Sequence, residues 1–290
     1  MKKLAFLFFF AGLLISAQNN RVIYEYRYKT DSVSADSLRT EWMYLDISGS
    51  GSRYYSKVAF ERDSVMTESI RKQLSSGMRN VSVSRSSTGG EVSYEVEKTY
   101  PGFQTVLITS IGNDAYRVTE DRKPEWKILP EKEKVGEFTA QKATTDFAGR
   151  IWTAWFTAEI PIQDGPYKFY GLPGLIVKMA DHTGTHLIEL KGLKAVAERT
   201  SLELDTQGKD IPFASKKTID VTRKQYIKLL KQHENDPVQG MREMLNRPNS
   251  KVVININGQE YTEPKDVLRM MEQNAREEMK RNNNKIELKP

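Results

Sequence analysis

The chain has 290 residues, and its 44 lysines and arginines outnumber its 38 aspartates and glutamates, for a formal net charge of +6. A chain of this length can bury one large core. The absence of cysteine excludes disulfides and a cysteine-linked lipid anchor. Because charges of both signs are interspersed, with no arginine-rich helix or RNA-binding aromatic motif, we expect no nucleic-acid partner.

Residues 1–17 predict a secretory signal peptide. Two lysines precede an apolar run over residues 4–15, which is short for a membrane span, and small residues follow, ending at Ala17. We expect cleavage after Ala17, which leaves an exported periplasmic or secreted protein with no transmembrane span. It is not expected to be a lipoprotein, because no cysteine follows the apolar run. An uncleaved N-terminal anchor is the alternative.

Alternating tyrosines and charged residues predict the first strand over residues 21–30. Two more strands, over residues 40–47 and 52–60, flank a Ser-Gly-Ser-Gly hairpin loop. The apolar period then becomes helical over residues 60–78, and a serine- and glycine-rich loop follows over residues 79–90. Tyrosines at strand spacing are more often core than a binding site, so we interpret these as core.

Strands resume over residues 91–98, 103–109 and 114–120. Residues 121–135 contain two prolines and a charge run, so they predict a solvated connection. A hairpin over residues 137–158 then leads into the central part of the chain.

The C-terminal third predicts helices. A capping-box pattern at Thr222 and Gln225 marks the start of one helix, and residues 264–281 carry the apolar stripe of another. The Asn-Gly pair at residues 257–258 predicts a tight hairpin turn between short strands.

Together these elements predict an α+β fold that is rich in β-structure. We expect a curved antiparallel sheet built from meander hairpins, with helices mainly in the C-terminal third. Residues 18–205 would form the β-rich domain. Residues 206–290 would form helices and a small hairpin that are packed on this domain or appended to it.

The most distinctive stretch is the hexapeptide GLPGLI over residues 171–176. Pro173 fixes φ for the first central position of a type II turn, and Gly174 can take the positive φ that comes next. Four residues form the turn and carry no reactive group, so we interpret it as structural: Gly171, Leu172, Pro173 and Gly174.

Glycines, prolines and tryptophans recur in order on the approach to the hexapeptide, including Trp152, Trp155, Pro161 and Gly165. With the hexapeptide, this order resembles the GLPGLI family of exported proteins from Gram-negative bacteria. The resemblance covers the middle third of the chain well and the N-terminal strands more loosely. It implies export and assigns residues 18–205 to a domain of this family, and it implies no particular activity.

Four aromatic residues around the hexapeptide are candidates for an apolar ligand-binding pocket: Trp152, Phe156, Tyr167 and Phe169. Burial in the core is the alternative. Trp152 and Phe156 share one strand face, and a sheet covered on both faces would bury such residues without any ligand.

His182 and His186 are candidate metal ligands, because imidazole suits zinc or copper and a hairpin could bring the two rings together. There is no third histidine nearby, and a solvated histidine in a turn is the commoner structure. Asp164 could act as an acid or base, but aspartate before glycine is ordinary turn chemistry. We find no Gly-x-Ser-x-Gly elbow and no phosphate-binding glycine loop, so we expect no catalytic residues and no cofactor.

Three functions remain open. The first is an exported, non-enzymatic cell-envelope protein that binds an apolar or peptide-like ligand or partner. The second is an envelope protein–protein interaction or assembly factor with contacts near Tyr226 and Val267. The third is a metal-binding protein that uses His182 and His186.

Overall fold

A computed structural model describes residues 19–76, 92–196, 218–245, 254–256, 259–261 and 263–290. The predicted signal peptide over residues 1–17, the predicted loop over residues 79–90 and the predicted turn at residues 257–258 lie outside this part of the chain.

Twelve strands in the described residues form one sheet. They are β1 (Asn19–Lys29), β2 (Leu38–Ile47), β3 (Gly51–Ser56), β4 (Glu95–Thr99), β5 (Thr105–Ile111), β6 (Asp114–Thr119), β7 (Lys127–Val135), β8 (Phe138–Phe147), β9 (Arg150–Thr157), β10 (Leu175–Asp181), β11 (His186–Val196) and β12 (Thr218–Thr222). The helices are α1 (Lys57–Ser75), α2 (Arg223–Asn235), α3 (Gln239–Leu245) and α4 (Pro264–Arg281), and β13 (Ile254–Ile256) pairs with β14 (Gln259–Tyr261).

The strand order is β12-β6-β5-β4-β3-β2-β1-β11-β10-β9-β8-β7, so the sheet is not closed. Neighbouring strands are antiparallel except for β12, which pairs parallel with β6. The expected β-rich α+β fold is confirmed, but the sheet is mixed rather than wholly antiparallel. A parallel pair needs a long connection between its strands, and almost a hundred residues separate β6 from β12.

The predicted solvated connection over residues 121–135 contains an edge strand, β7. It pairs with β8, and the register shifts between Ile128 and Lys132, around Pro130. Proline cannot donate to a strand ladder and therefore occurs at edges and bulges, where charged side chains also discourage further pairing. The features that suggested a loop are those of a protected sheet edge.

Two helix starts follow from local hydrogen bonds. The α1 helix begins ahead of the predicted residue 60, because the Ser56 hydroxyl accepts the N–H of Ala59 over 3.2 Å and caps the helix. The capping box predicted for α2 is confirmed, since Thr222 and Gln225 bind each other's backbone N–H groups.

No helix in the described part of the chain is long and apolar enough to cross a membrane.

The largest core lies on one face of the sheet, which we call the inner face. Tyr24, Tyr26 and Tyr28 on β1 are at most 7% exposed, so their interpretation as core is confirmed. Residues 158–174, which connect β9 to β10, pack their apolar side chains into the same core. The hydroxyl of Tyr24 donates to the carbonyl of Ile176 over 2.7 Å and thereby fixes the hexapeptide against the sheet.

Candidate functional site

The four aromatic residues predicted to line an apolar pocket lie in the core. Trp152, Phe156, Tyr167 and Phe169 are each at most 3% exposed. The ring centroid of Phe169 lies 5.1 Å from that of Trp152 and 6.2 Å from that of Tyr167. The structure thus places these side chains in closed packing rather than in an open pocket, because residues 158–174 cover the sheet at this point.

The turn in the hexapeptide is tighter than the predicted type II turn. Gly174 donates its N–H to the carbonyl of Leu172 over 2.8 Å, which closes a three-residue turn. Leu175 donates instead to the carbonyl of Ile160 over 3.0 Å. Gly174 has a φ of +147°, and a Cβ there would lie 2.0 Å from the carbonyl oxygen of Thr157. Close approach of two backbone segments therefore requires this glycine.

A buried ion pair holds the loop that precedes this turn. The side chains of Lys98, on β4, and Asp164 are fully buried and their charged groups are in contact. The Lys98 ammonium also donates to the carbonyls of Gly165, over 2.7 Å, and Tyr167, over 3.1 Å. Tyr100 donates its hydroxyl to the other oxygen of Asp164. Asp164 is therefore part of a buried, hydrogen-bonded ion pair that fixes the loop, whereas the sequence predicts an aspartate with an ordinary role in a turn.

A second charged cluster joins the same loop to the C-terminus. Lys168 lies 2.7 Å from Glu120 and 2.6 Å from Glu287. Arg122 pairs with the same two carboxylates at 2.7 and 3.1 Å. Burial alone would raise the pKa of Glu120, but Arg122 and Lys168 outweigh it and lower this pKa to about 2. The groups are fully engaged with one another, so we assign them to structure.

A row of polar side chains crosses the inner face of the sheet at one end. Its six members are neighbours on adjacent strands: Thr145, Trp152, Asp181, His186, Tyr28 and Arg39. Thr145 Oγ1, Trp152 Nε1 and His186 Nε2 are buried and make no regular hydrogen bond with the described residues. Buried polar atoms normally have a partner, which can be a protein group, a water molecule or a ligand. This end of the sheet therefore offers hydrogen bonds that the described residues do not use.

A cleft of about 650 Å³ opens beside this row, between the sheet and the C-terminal end of α4. Tyr26, Tyr28, Tyr94 and His186 line it on the sheet side. The ring centroid of Tyr26 lies 4.5 Å from that of Tyr28 and 5.9 Å from that of His186, and both pairs are stacked. On the other side the cleft is lined by Asn274, Glu277, Glu278, Arg281, Asn284 and Ile286. The walls combine flat aromatic surface with polar atoms.

His186 is the buried polar residue of this cleft. It is 1% exposed, and its Nδ1 lies 2.6 Å from the hydroxyl of Tyr26. Burial and the nearby charge of Arg150 lower the pKa of His186 to about 4, although Asp181 opposes this shift. The carbonyl of Asn284 lies close enough to raise this pKa slightly, even though Nε2 makes no regular hydrogen bond. The imidazole is therefore neutral at physiological pH.

The structure gives the two candidate metal ligands different environments. His182 is exposed in the turn after β10, whereas His186 is buried against Tyr26. Asp181 does not face a vacant site, because it binds the guanidinium of Arg150 over 2.9 Å. Within the described residues, no group of three histidine, aspartate or glutamate side chains could hold a metal ion.

The residues predicted to mark an interaction surface are also buried. Tyr226 on α2 is 9% exposed, and Val267 on α4 is fully buried. Tyr226 belongs to the largest core, together with the partly buried Leu229 and Leu230. These positions consequently provide no exposed apolar patch for a partner.

Comparison with known proteins gives a family match for the central part of the chain. Residues 147–178, which include the hexapeptide, match the family described as "Protein of unknown function (Porph_ging)". This family model is not specific to the GLPGLI family, so membership of the latter stays a prediction. A search of curated proteins finds no match.

Two solved structures of PNGF-II, in space groups P21 and C2, are similar to this chain with a TM-score of 0.47 each. Their sequence identity to it is 11% and 13%. Each alignment covers 75% of this chain and 34% of the PNGF-II chain, so this chain matches about a third of that protein's length. At this level the similarity supports neither a shared activity nor a fold assignment.

The sequence indicates His186 only as a metal-ligand candidate and does not indicate the cleft. The cleft brings together β1, β11, the residue Tyr94 before β4, and the end of α4. The sequence signal for the cleft is limited to Tyr26 and Tyr28, because the alternation along β1 places these two residues on the same face. Alternation identifies their face but cannot show which residues from distant segments lie opposite.

Proposed function

We propose that this is an exported cell-envelope protein of the GLPGLI type that binds a peptide-like ligand in the cleft beside His186. Export is supported by the order of charged, apolar and small residues over residues 1–17. The GLPGLI assignment is supported by the hexapeptide and by the tryptophans and prolines that precede it.

The observation that carries the binding proposal is the buried Nε2 of His186, a residue of the cleft wall: this atom makes no regular hydrogen bond with the described residues, although the backbone of Asn284 lies near the ring. The buried hydroxyl of Tyr94 lies near Tyr26, which opposes the rise in its pKa that burial causes, but it makes no regular hydrogen bond with the described residues. Leaving such atoms unpaired costs about 1–3 kcal/mol each. A ligand with amide groups can bind both atoms, because its N–H groups donate and its carbonyls accept, while its side chains pack on the stacked Tyr26 and Tyr28.

The same atoms argue against an apolar ligand. A lipid chain in the cleft would cover His186 and Tyr94 without providing hydrogen bonds, and the desolvation would oppose binding. Acid–base catalysis is also less well supported than binding, because an imidazole with a pKa of about 4 is a weak base at neutral pH. Peptide binding requires no proton transfer, so the neutral imidazole is suited to it.

Native mass spectrometry of the protein exported by its own host, followed by denaturing analysis, tests this function. We expect a bound peptide, and we expect at least a tenfold loss of affinity for that peptide in His186→Gln or Tyr94→Phe. Tyr116→Phe, in β6 and outside the cleft, is the control and should bind like the wild type. A stoichiometric lipid, or an empty protein that also binds nothing on a peptide array, would overturn the proposal.

A further inference from the structure

The C-terminal tail, residues 282–290, enters the end of the sheet next to the cleft. Asn284 is 6% exposed and also lines the cleft. Its backbone N–H donates to the carbonyl of Thr30 over 3.0 Å, as an added peptide segment would at the end of β1. The tail therefore occupies a position that borders the proposed ligand.

The side-chain amide of Asn284 is bound at both ends. Its Oδ1 accepts from the guanidinium of Arg150 over 2.7 Å, and its Nδ2 donates to the carbonyl of Lys29 over 2.8 Å. A donor faces the oxygen and an acceptor faces the nitrogen, so only a carboxamide satisfies both. A carboxylate at this position would place one of its oxygens against the Lys29 carbonyl.

The groups that bind this amide are fixed by the sheet rather than by the tail. Arg150 is 2% exposed, and Asp181 on the neighbouring strand holds its guanidinium at 2.9 Å. Asp181 itself accepts the N–H of His186 over 2.8 Å. Arg150 also donates to the carbonyl of Lys285 over 2.6 Å, so it contacts both the side chain and the backbone of the segment. Neighbouring strands thus hold these groups in position, as recognition of a side chain requires.

The tail does not use every hydrogen bond that this end of the sheet offers. His186 lines the cleft beside Asn284, and its Nε2 makes no regular hydrogen bond with the described residues, although the backbone of Asn284 lies near the ring. A longer segment that continues from the asparagine into the cleft would reach His186.

We infer that Arg150, Asp181 and the carbonyl of Lys29 form a recognition site for the asparagine side chain of an extended peptide, and that Asn284 occupies it in cis. This inference rests on the proposed function, whose ligand it narrows to asparagine-containing peptides. The tethered tail competes with an external peptide at a high effective concentration, so the apparent affinity equals the intrinsic affinity multiplied by the fraction of sites that the tail leaves open.

The test uses the full chain and a labelled synthetic peptide with the tail sequence KRNNNKIELKP, residues 280–290. We expect full-length Asn284→Ala to bind this peptide at least tenfold more tightly than the wild type. Asn235→Ala is the control, because this exposed asparagine at the end of α2 lies outside the cleft, and this variant should bind like the wild type. A second peptide with Asp in place of Asn284 should bind the Asn284→Ala protein at least tenfold more weakly.

Each outcome separates this inference from the proposed function. If both peptides bind the Asn284→Ala protein equally, the amide is not recognised and the inference fails, while peptide binding in the cleft stands. If neither peptide binds a folded Asn284→Ala protein, the inference also fails, and the peptide array decides the proposed function independently. Arg150→Lys, which keeps the charge but loses the fork that joins Asn284 to Lys285, should abolish the preference for asparagine over aspartate.

Discussion

At the scale of single residues, the unusual feature is the number of charged side chains within the core. Lys98 and Asp164 are fully buried, and Arg150 is nearly so. Moving such charges out of water costs several kcal/mol per ion, which close pairing and hydrogen bonds must offset. Burial therefore lowers the pKa of Lys98, although contact with Asp164 opposes the shift. The arrangement is stable only while both partners are present.

Removing the cation alone should expose this dependence. We expect Lys98→Met to lower the free energy of unfolding by about 3–5 kcal/mol, because the Asp164 carboxylate stays buried without its partner. Urea unfolding measures the loss, and Lys98→Met combined with Asp164→Leu should recover part of it. Lys72→Met, at a position 77% exposed, is the control and should change stability by less than about 0.5 kcal/mol. A Lys98→Met loss below about 1 kcal/mol would mean that the pair does not hold the loop.

At the scale of elements, the sequence predicts the features that depend on interactions between residues near one another in the chain. The capping box at Thr222, the helix over residues 264–281 and the buried face of β1 all follow from neighbours in sequence. The edge strand β7 was missed because prolines and charges occur both in loops and at sheet edges. The Lys98–Asp164 pair was missed because a residue separation of 66 carries no periodic signal. The cleft depends on the same kind of long-range contact.

The hexapeptide allows two of its glycines to be compared within one element. Gly174 has a φ of +147° and would bring a Cβ within 2.0 Å of the Thr157 carbonyl oxygen, whereas Gly171 has a φ of +90° with no atom within 4 Å of that position. Gly171→Ala should therefore cost only backbone strain, about 1–3 kcal/mol. Gly174→Ala should cost clearly more, because the backbone of Thr157 must also move. Thermal unfolding of both variants checks this, and equal losses would show that the close approach is unimportant.

At the scale of the whole molecule, stability depends on groups that the sheet order brings together. β11 pairs with β1 and thereby joins the two runs of hairpins. This pairing places His186 beside Tyr26 and close to Arg150 and Asp181. The pKa of His186 falls from 6.5 to about 4 on folding, while the pKa of Glu120 falls from 4.5 to about 2. Since the unfolded chain binds more protons in each interval, the free energy of unfolding decreases as the pH is lowered through either interval. Protonation linked to His186 lowers the free energy of unfolding between pH 6.5 and pH 4, and protonation linked to Glu120 lowers it below pH 4.5.

These intervals allow the histidine's effect to be measured alone. Between pH 7 and pH 5, protonation of His186 in the unfolded chain should remove about 2 kcal/mol from the free energy of unfolding. Urea unfolding at the two pH values should show this loss in the wild type and in the exposed-site control His182→Gln. His186→Gln should lose about 2 kcal/mol less over the same range, because its side chain does not titrate. If His186→Gln instead follows the wild type from pH 7 to pH 5, the imidazole is accessible to protons in the folded protein and does not form the neutral wall of the cleft.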